Sequence, residues 1–149
     1  MAYFPDTSAL VKIYVREPGS EYMLRIAKDA APGAMVISRL AEVELAAALR
    51  TMERTGRIER KVAAAILAAF LDHQQWWFAH QSVSDTVLEL AVRLVDEHSL
   101  RAYDAVRLAS CIIYSVHTPA TFLCSDRQLL VAAAAAGVPW ADPETGASG

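Results

Sequence analysis

The sequence predicts an α/β fold: a three-layer α/β/α domain with a short central parallel sheet and extra helices. Short apolar segments alternate with longer helical segments, and this alternation is typical of βαβ units whose parallel sheet is covered on both faces. Of the 149 residues, 28 are alanine, so helix should dominate. Hydrophobic residues make up 54% and charged residues 21%, a composition that fits one packed domain and excludes a disordered chain.

The first half of the chain contains two predicted strands and three predicted helices. Pro18 favours the first turn of a helix, and Gly56 marks the end of a long one. The elements are a strand over Ala2–Phe4, helices over Thr7–Val15 and Pro18–Ala30, a strand over Ala34–Ile37 and a helix over Ser38–Thr55.

The second half begins with an Ala-rich helix from Ile58 to about Phe78. Ser84 is a suitable N-cap for the next helix, and Gly137 closes the last one. The further elements are a strand over His80–Val83, helices over Ser84–Glu97 and Arg101–Val116, a strand over Thr121–Cys124, a helix over Arg127–Ala136 and a strand over Val138–Trp140. We expect the domain to span residues 1–141 and residues 142–149 to form a flexible tail.

Charge, cysteine content and hydropathy exclude several classes of protein. The net charge of −3 argues against binding nucleic acid by bulk charge alone. Two cysteines, Cys111 and Cys124, cannot supply a disulfide framework and fit a reduced, cytoplasmic compartment. The N-terminus lacks the basic region of a signal peptide, and the longest apolar run, Val62–Leu71, has about half the length of a membrane span.

Three aspartates lie where a ligand of such a sheet would bind. Asp6 ends the first predicted strand, Asp126 ends the fourth, and Asp104 lies in the first turn of its helix. Open parallel sheets bind ligands outside the carboxyl ends of their strands. The alternative is that Asp6 and Asp126 cap the following helices and that the helix dipole favours Asp104.

Glu44 distinguishes a site from a set of helix caps. On a wheel of 100° per residue, Glu44 lies among Leu40, Val43, Ala47, Ala48 and Thr51, whereas Glu42 shares its sector with charged residues. We therefore expect Glu42 to be solvated and Glu44 to lie on the buried arc. A buried carboxylate needs a partner, which could be a cation or an arginine such as Arg101 or Arg107.

The chemistry of these residues favours a hard metal ion. Four carboxylates, with no HxH or HExxH spacing among the histidines, suit Mg²⁺ or Mn²⁺ and not zinc. Such an ion lowers the pKa of a bound water and stabilises charge on phosphate oxygens, while a free carboxylate can orient or deprotonate the water. The sequence therefore predicts phosphodiester hydrolysis, with Asp6 and Asp104 as the first candidates for direct ligands.

Four segments together resemble a known family. They are DTSALVKIY, SRLAEVELAAAL, LRAYDAVRLAS and FLCSDRQLLVAAAAAGV, and in this order they resemble the PIN domain, in particular the VapC-type ribonuclease toxins of bacterial toxin–antitoxin pairs. The resemblance covers Tyr3–Val138. It implies a divalent metal held by four acids, an RNA substrate, a cognate antitoxin and a homodimer. The acids that match are Asp6, Glu44 (not Glu42), Asp104 and Asp126, and Ser8 matches the hydroxyl residue near the metal.

The sequence departs from the family pattern at three positions. Pro5 stands where an apolar residue with a free N–H is usual, which is tolerable only where the strand ends. Cys124 replaces a common Thr, and Arg107 replaces a frequent His. All four acids are nevertheless present.

Basic residues supply candidates for contacts with RNA. The segment RTMERTGRIERK, residues 50–61, has a net charge of +3 and could follow an RNA backbone, or its charges could simply be solvated. Arg101, Arg107 and Arg127 lie closer in sequence to the acids and are better candidates for phosphate contact.

These observations predict a metal-dependent endoribonuclease that acts as a toxin. Two alternatives remain. A non-catalytic interaction module with the PIN fold would be indicated by loss of a site acid, and none is lost. An aspartyl-phosphate protein related to receiver domains would need a late lysine, yet the lysines are Lys12, Lys28 and Lys61.

Overall fold

The computed structural model describes residues 1–149 and has five strands in one parallel sheet. The strand order is β3-β2-β1-β4-β5. The strands are β1 (Ala2–Pro5), β2 (Met35–Ser38), β3 (Phe78–Gln81), β4 (Ala120–Leu123) and β5 (Trp140–Ala141). β1 ends at Pro5, as the missing N–H of that residue requires.

Seven helices connect and cover these strands. They are α1 (Thr7–Tyr14), α2 (Ser20–Asp29), α3 (Ala41–Arg54), α4 (Arg60–Trp76), α5 (Asp85–His98), α6 (Ala102–Ser115) and α7 (Arg127–Ala135). None of them has both the length and the apolar character that a membrane crossing requires.

Two separate cores lie on the two faces of the sheet, because side chains alternate along each strand. Phe4 and Val36 pack with α5, α6 and α7, whereas Met35 and Ile37 pack with α1 to α4. The second core includes Phe70 of α4, which is fully buried. The predicted three-layer α/β/α fold is therefore confirmed.

Several predicted boundaries were wrong, and three of the differences affect the sheet or the start of α3. Phe78 belongs to β3 and not to the preceding helix, since it pairs with Met35 and its side chain is buried. β3 therefore starts two residues before the predicted strand. Ser38 ends β2, and its Oγ accepts a hydrogen bond from the Leu40 amide, so that α3 begins only at Ala41. The last strand is displaced from Val138–Trp140 to Trp140–Ala141.

The order of the strands creates a crevice at one end of the central strands. From β1 the chain proceeds through α1 and α2 to β2 on one side, whereas β4 lies on the other side of β1 and continues through α7 to β5. Such a reversal of strand order opens a crevice at the carboxyl ends of the central strands. Asp6 lies there, and its amide donates to the Leu123 carbonyl at the end of β4, 2.9 Å away.

The last eight residues fold back onto the domain. Gly149 and Trp140 exchange two backbone hydrogen bonds, and the carboxylate of Asp142 accepts hydrogen bonds from Ser125 and Thr145. Lys12, which is 4% exposed, forms an ion pair with Glu144 at 2.8 Å. The segment predicted as a flexible tail is thus attached at several points in the structure, while the limits of the domain remain a prediction.

Candidate active site

A cleft of about 630 Å³ opens at the carboxyl ends of β1 and β4. The four acids singled out in the sequence all line it, although they come from four different parts of the chain. They are Asp6 after β1, Glu44 on α3, Asp104 on α6 and Asp126 after β4. The fold therefore brings these carboxylates to one place.

Asp6 and Asp126 cap helices and also line the cleft. Oδ1 of Asp6 accepts from the Ala9 amide at 2.7 Å, and Oδ1 of Asp126 accepts from the Leu129 amide at 3.0 Å. Each acid is the N-cap of the helix that follows its strand. The capping interpretation is thus correct, and it does not compete with a role in the cleft because capping uses one of the two carboxylate oxygens.

Asp6 is the most deeply buried of the four acids. Its residue is 2% exposed, and Ser8 donates its hydroxyl to Oδ1 at 2.8 Å. Burial raises the pKa of the Asp6 carboxyl, although the Ala9 amide and neighbouring polar groups oppose the shift. Ser8 therefore orients the acid, in the position that the sequence predicts for a supporting hydroxyl.

Cys124 occupies the edge of the same site. Its Sγ accepts a hydrogen bond from the Asp126 amide at 3.2 Å, so sulfur serves as the acceptor where a hydroxyl is common. Burial and the nearby charge of Asp6 raise the pKa of the Cys124 thiol well above its usual range. The residue is thus a neutral structural thiol.

Glu44 is held by two other helices. Its Oε2 accepts from the Thr7 hydroxyl at 2.9 Å and from Nε of Arg107 at 2.7 Å, and Nη2 of Arg107 contacts the same oxygen. The side chain is 11% exposed. Its other oxygen, Oε1, is buried and has no hydrogen-bond partner. One oxygen of this carboxylate therefore has hydrogen-bond partners, and the other has none.

The helical wheel located Glu44 correctly but misjudged its apolar neighbours. The core face of α3 consists of Ala41, Leu45, Leu49 and Met52. Val43, for which the wheel predicts a buried position beside Glu44, is 69% exposed and lines the cleft, as Ala47 does. Glu42 is exposed, as predicted. Glu44 thus lies between the core and an open apolar wall.

Two arginines bind both oxygens of Asp104. Nη1 of Arg107 donates to Oδ1 at 2.9 Å, and Nε of Arg101 donates to Oδ2 at 3.1 Å. Arg101 is 83% exposed, whereas Arg107 is 16% exposed. Burial would lower the pKa of the Arg107 guanidinium, but the three acids Glu44, Asp6 and Asp104 outweigh it and raise that pKa. Of the two arginines that the sequence offered as partners of Glu44, the structure pairs Arg107 with it.

The acids share the cleft without being gathered around one point. With Arg107 between Glu44 and Asp104, no three His, Cys, Asp or Glu side chains are placed to hold a metal ion together. The donors nevertheless suit Mg²⁺ or Mn²⁺, because they are all carboxylate oxygens and Oε1 of Glu44 is buried without a partner. The guanidinium of Arg107 lies between Glu44 and Asp104 and bridges them.

Comparison with known families agrees with this architecture. The family model described as the PIN domain matches residues 3–130. The chain belongs to the PIN domain family. Among curated proteins, none matches the chain significantly. The resemblance seen in the sequence is confirmed, and it covers all four acids of the cleft.

Solved structures with the same fold include three relevant examples. A toxin–antitoxin complex from Klebsiella pneumoniae is 18% identical, with 84% of this chain and 87% of that chain covered and a TM-score of 0.55. VapBC2 from Rickettsia felis, bound to a DNA fragment from its promoter, is 17% identical, with coverages of 85% and 88% and a TM-score of 0.59. FitAcB from Neisseria gonorrhoeae is 15% identical, with coverages of 93% and 96% and a TM-score of 0.63.

This PIN domain has cleft residues that the sequence did not single out. Tyr103, next to Asp104 in sequence, is exposed, and Glu17 and Arg57, which also line the cleft, form an ion pair of 3.0 Å. Arg57 belongs to the basic segment 50–61, and no local pattern distinguishes it from the other four bases of that segment. Its position depends on how the α3–α4 turn folds back toward Glu17.

Arg127 lies outside the set of residues that line the cleft. It is exposed at the start of α7, directly after Asp126. No lysine lines the cleft either, and Lys12 is held by Glu17 and Glu144. An aspartyl-phosphate protein would need a lysine there, so the PIN fold and this lining exclude that alternative.

Proposed function

We propose that this PIN domain is a metal-dependent endoribonuclease that hydrolyses RNA phosphodiester bonds and acts as a toxin. The observation that carries the proposal is the meeting of Asp6, Glu44, Asp104 and Asp126 in one cleft at the switch point of the sheet. These carboxylates come from four separate elements, and helix capping accounts for only two of them, Asp6 and Asp126. Their presence in one cleft supports a functional role. The family supports a nuclease rather than another use of the same fold.

The four acids would hold Mg²⁺, or Mn²⁺ in its place. Bound there, a divalent cation would supply an activated water and stabilise negative charge on the phosphate. Asp6, Asp104 and Asp126 line the cleft and are the proposed direct ligands, and Glu44 is the proposed fourth. Ser8 would keep the Asp6 carboxylate in a fixed orientation through its hydroxyl.

The other cleft residues would bind and orient the RNA. Arg101 is largely exposed and could donate to a phosphate, as could Arg57, which also lines the cleft and is about half exposed. Arg107 could contact a phosphate from inside the cleft, and Arg127 could extend the contact along the strand from outside it. The apolar wall around Val43 would exclude water from one side of the scissile bond.

The biological context is part of the same proposal. One of the similar structures is a toxin–antitoxin complex, which supports a cognate antitoxin as the partner of this chain. We propose that the protein works in the cytoplasm, forms a homodimer and is neutralised when the antitoxin binds. A non-catalytic interaction module remains the alternative.

Cleavage of RNA by the purified protein tests the proposal. A fluorescently labelled RNA should be cut in Mg²⁺ or Mn²⁺, and cutting should stop in EDTA. Asp104→Asn should be inactive, whereas Asp96→Asn, an exposed aspartate on α5, should cleave at the wild-type rate. Cleavage that persists in EDTA with metal-free protein would overturn the mechanism. A folded protein that binds RNA and metal but cuts nothing would favour the interaction module.

A further inference from the structure

The guanidinium of Arg107 occupies the space between two of the proposed metal ligands. Nε and Nη2 contact Oε2 of Glu44, and Nη1 contacts Oδ1 of Asp104 at 2.9 Å. One side chain thus bridges carboxylates that lie on two different helices. We propose that Arg107 is a built-in counter-ion that competes with the divalent cation for Glu44 and Asp104; this inference rests on the proposed function.

The competition follows from the lone pairs that each cation needs. A guanidinium is a planar fork of donors that matches carboxylates, and here it uses three of its five N–H groups on two acids. A divalent cation such as Mg²⁺ would need oxygens of the same two acids within about 2.0–2.1 Å. A guanidinium and a divalent cation on the same two acids would repel each other strongly at a few ångströms, because the side chains of Glu44 and Asp104 are only 11% and 12% exposed.

The structure also shows that Arg107 does not use the whole of Glu44. Oε1 is buried and unpartnered, although Oε2 accepts three donor groups. An unpaired buried carboxylate oxygen is costly, and a better partner would relieve that cost. The arrangement therefore stabilises the metal-free cleft incompletely and leaves a point at which a cation or its bound water can enter.

Arg107 is placed so that it can give way. Its side chain starts on α6 and reaches into an open cleft, where 16% of its surface remains in contact with solvent. The rearrangement requires a rotation of this side chain and no change of fold. Arg101 also pairs with Asp104, but from the exposed rim and without touching Glu44. These two arginines therefore form a matched pair for the test.

The test measures Mn²⁺ affinity by calorimetry and the melting temperature in EDTA and in Mn²⁺. Arg107→Gln should melt at a lower temperature than wild type in EDTA, because the acids then repel each other without a counter-ion. It should bind Mn²⁺ roughly ten- to a hundredfold more tightly, since one nearby positive charge is gone. Arg101→Gln should change the affinity by about twofold or less, because surface pairs are weak.

Arg107→Lys is a second variant, which keeps the inference testable if Arg107→Gln does not fold. It keeps the charge but loses the fork that bridges two acids, so its Mn²⁺ affinity should lie between those of wild type and Arg107→Gln. Equal or weaker Mn²⁺ binding by both Arg107 variants overturns the inference while leaving the proposed metal site intact. No Mn²⁺ binding by any of the proteins overturns both. If only the Arg107 variants bound Mn²⁺, the inference would hold, because the wild-type guanidinium would then exclude the cation completely.

Discussion

Arg107 donates from Nε to Oε2 of Glu44 at 2.7 Å, across 63 positions of sequence. The same oxygen accepts the Thr7 hydroxyl at 2.9 Å. One carboxylate oxygen thus joins α1, α3 and α6 at the floor of the cleft. The positions of the proposed ligands therefore depend on one another, and a change at Glu44 should affect both the cation site and the packing of these helices.

The first prediction concerns the buried charge of Asp6. Because burial raises the pKa of this carboxyl above 3.8, the folded protein holds its proton more tightly than the unfolded chain. Stability of the metal-free protein should then decrease as pH rises from about 3.8 through the folded-state pKa. Asp6→Asn removes this charge, so in EDTA it should be more stable than wild type at pH 7 and equal to it in acid.

Urea unfolding in EDTA from pH 3.5 to 8 measures this difference. Asp6→Ala is the matched control, since it also removes the acceptor for the Ala9 amide and should lose about 1 kcal/mol relative to Asp6→Asn at every pH. If Asp6→Asn were less stable than wild type at pH 7, the hydrogen bonds from Ser8 and the Ala9 amide would compensate fully for the cost of burying the Asp6 charge.

The second prediction concerns Asp142 in the C-terminal segment. Burial acts to raise the pKa of Asp142, but hydrogen bonds from Ser125, the Glu144 amide and Thr145 outweigh it and lower that pKa. A lowered carboxyl pKa contributes stability above the unfolded value of 3.8, and this contribution is lost as pH falls through the folded-state pKa. Asp142→Asn should therefore cost about 1 kcal/mol at pH 7.

Chemical unfolding of wild type and Asp142→Asn at pH 7 and at pH 3 tests this contribution. The two curves should differ at neutral pH and approach each other in acid. Glu144→Gln serves as a comparison, because it weakens the attachment of the same segment through Lys12 instead. If Asp142→Asn matched wild type at pH 7, the charge of Asp142 would contribute nothing to stability.

Much of the fold could be predicted because its signals are local. Strand ends, helix caps and a helical period placed Asp6, Asp126 and Glu44 on the correct elements, and parallel strands bring such ends together. Asp104 stood out through its place in the first turn of its helix, and the family resemblance then assigned all four acids to one pattern. Four acids could thus be assigned to one cleft before their distances were known.

The remaining features depend on contacts between distant segments. Nothing near Glu44 in sequence shows whether its partner is a cation, Arg101 or Arg107. Short apolar runs do not distinguish the end of a helix from the start of a strand, which is why Phe78 was misplaced. The attachment of the last residues depends on a buried Lys12, whose partner Glu144 is 132 positions away.

The third prediction concerns Tyr103, which is 62% exposed and lines the cleft beside Asp104. An exposed aromatic ring next to a phosphate-binding site can stack on a base, which contributes about 1–3 kcal/mol per base. Tyr103→Ala should weaken RNA binding in EDTA by roughly five- to a hundredfold, and Tyr103→Phe should retain it. Fluorescence anisotropy with a labelled RNA measures both variants. Trp76→Ala is the control, because Trp76 is an exposed aromatic residue of α4 that does not line the cleft.

The last prediction separates Glu44 from Glu42, two positions away on the same helix. Glu44→Gln keeps the size of the side chain and an oxygen for Thr7 and Arg107, but it removes the charge. Loss of a positioned acid–base group or ligand commonly costs about 10²–10⁴-fold in rate, so cleavage of RNA should fall within that range. Glu42 is exposed, and its carboxylate contacts only Gln74 at 3.3 Å, so Glu42→Gln should cleave at nearly the wild-type rate.

The same two variants should differ in stability, because only one of them breaks an ion pair. Glu44→Gln leaves Asp104 as the only acid that hydrogen-bonds Arg107, and it should lower the free energy of unfolding by about 1–3 kcal/mol in EDTA. Rates on one RNA substrate and urea unfolding of both variants measure these effects, with toxicity on induction as a parallel readout. Equal losses of rate in the two variants would mean that Glu42 and Glu44 serve the site equally, contrary to the different contacts that they make. Full activity in Glu44→Gln would make this acid a purely structural partner of Arg107 and reduce the proposed site to Asp6, Asp104 and Asp126.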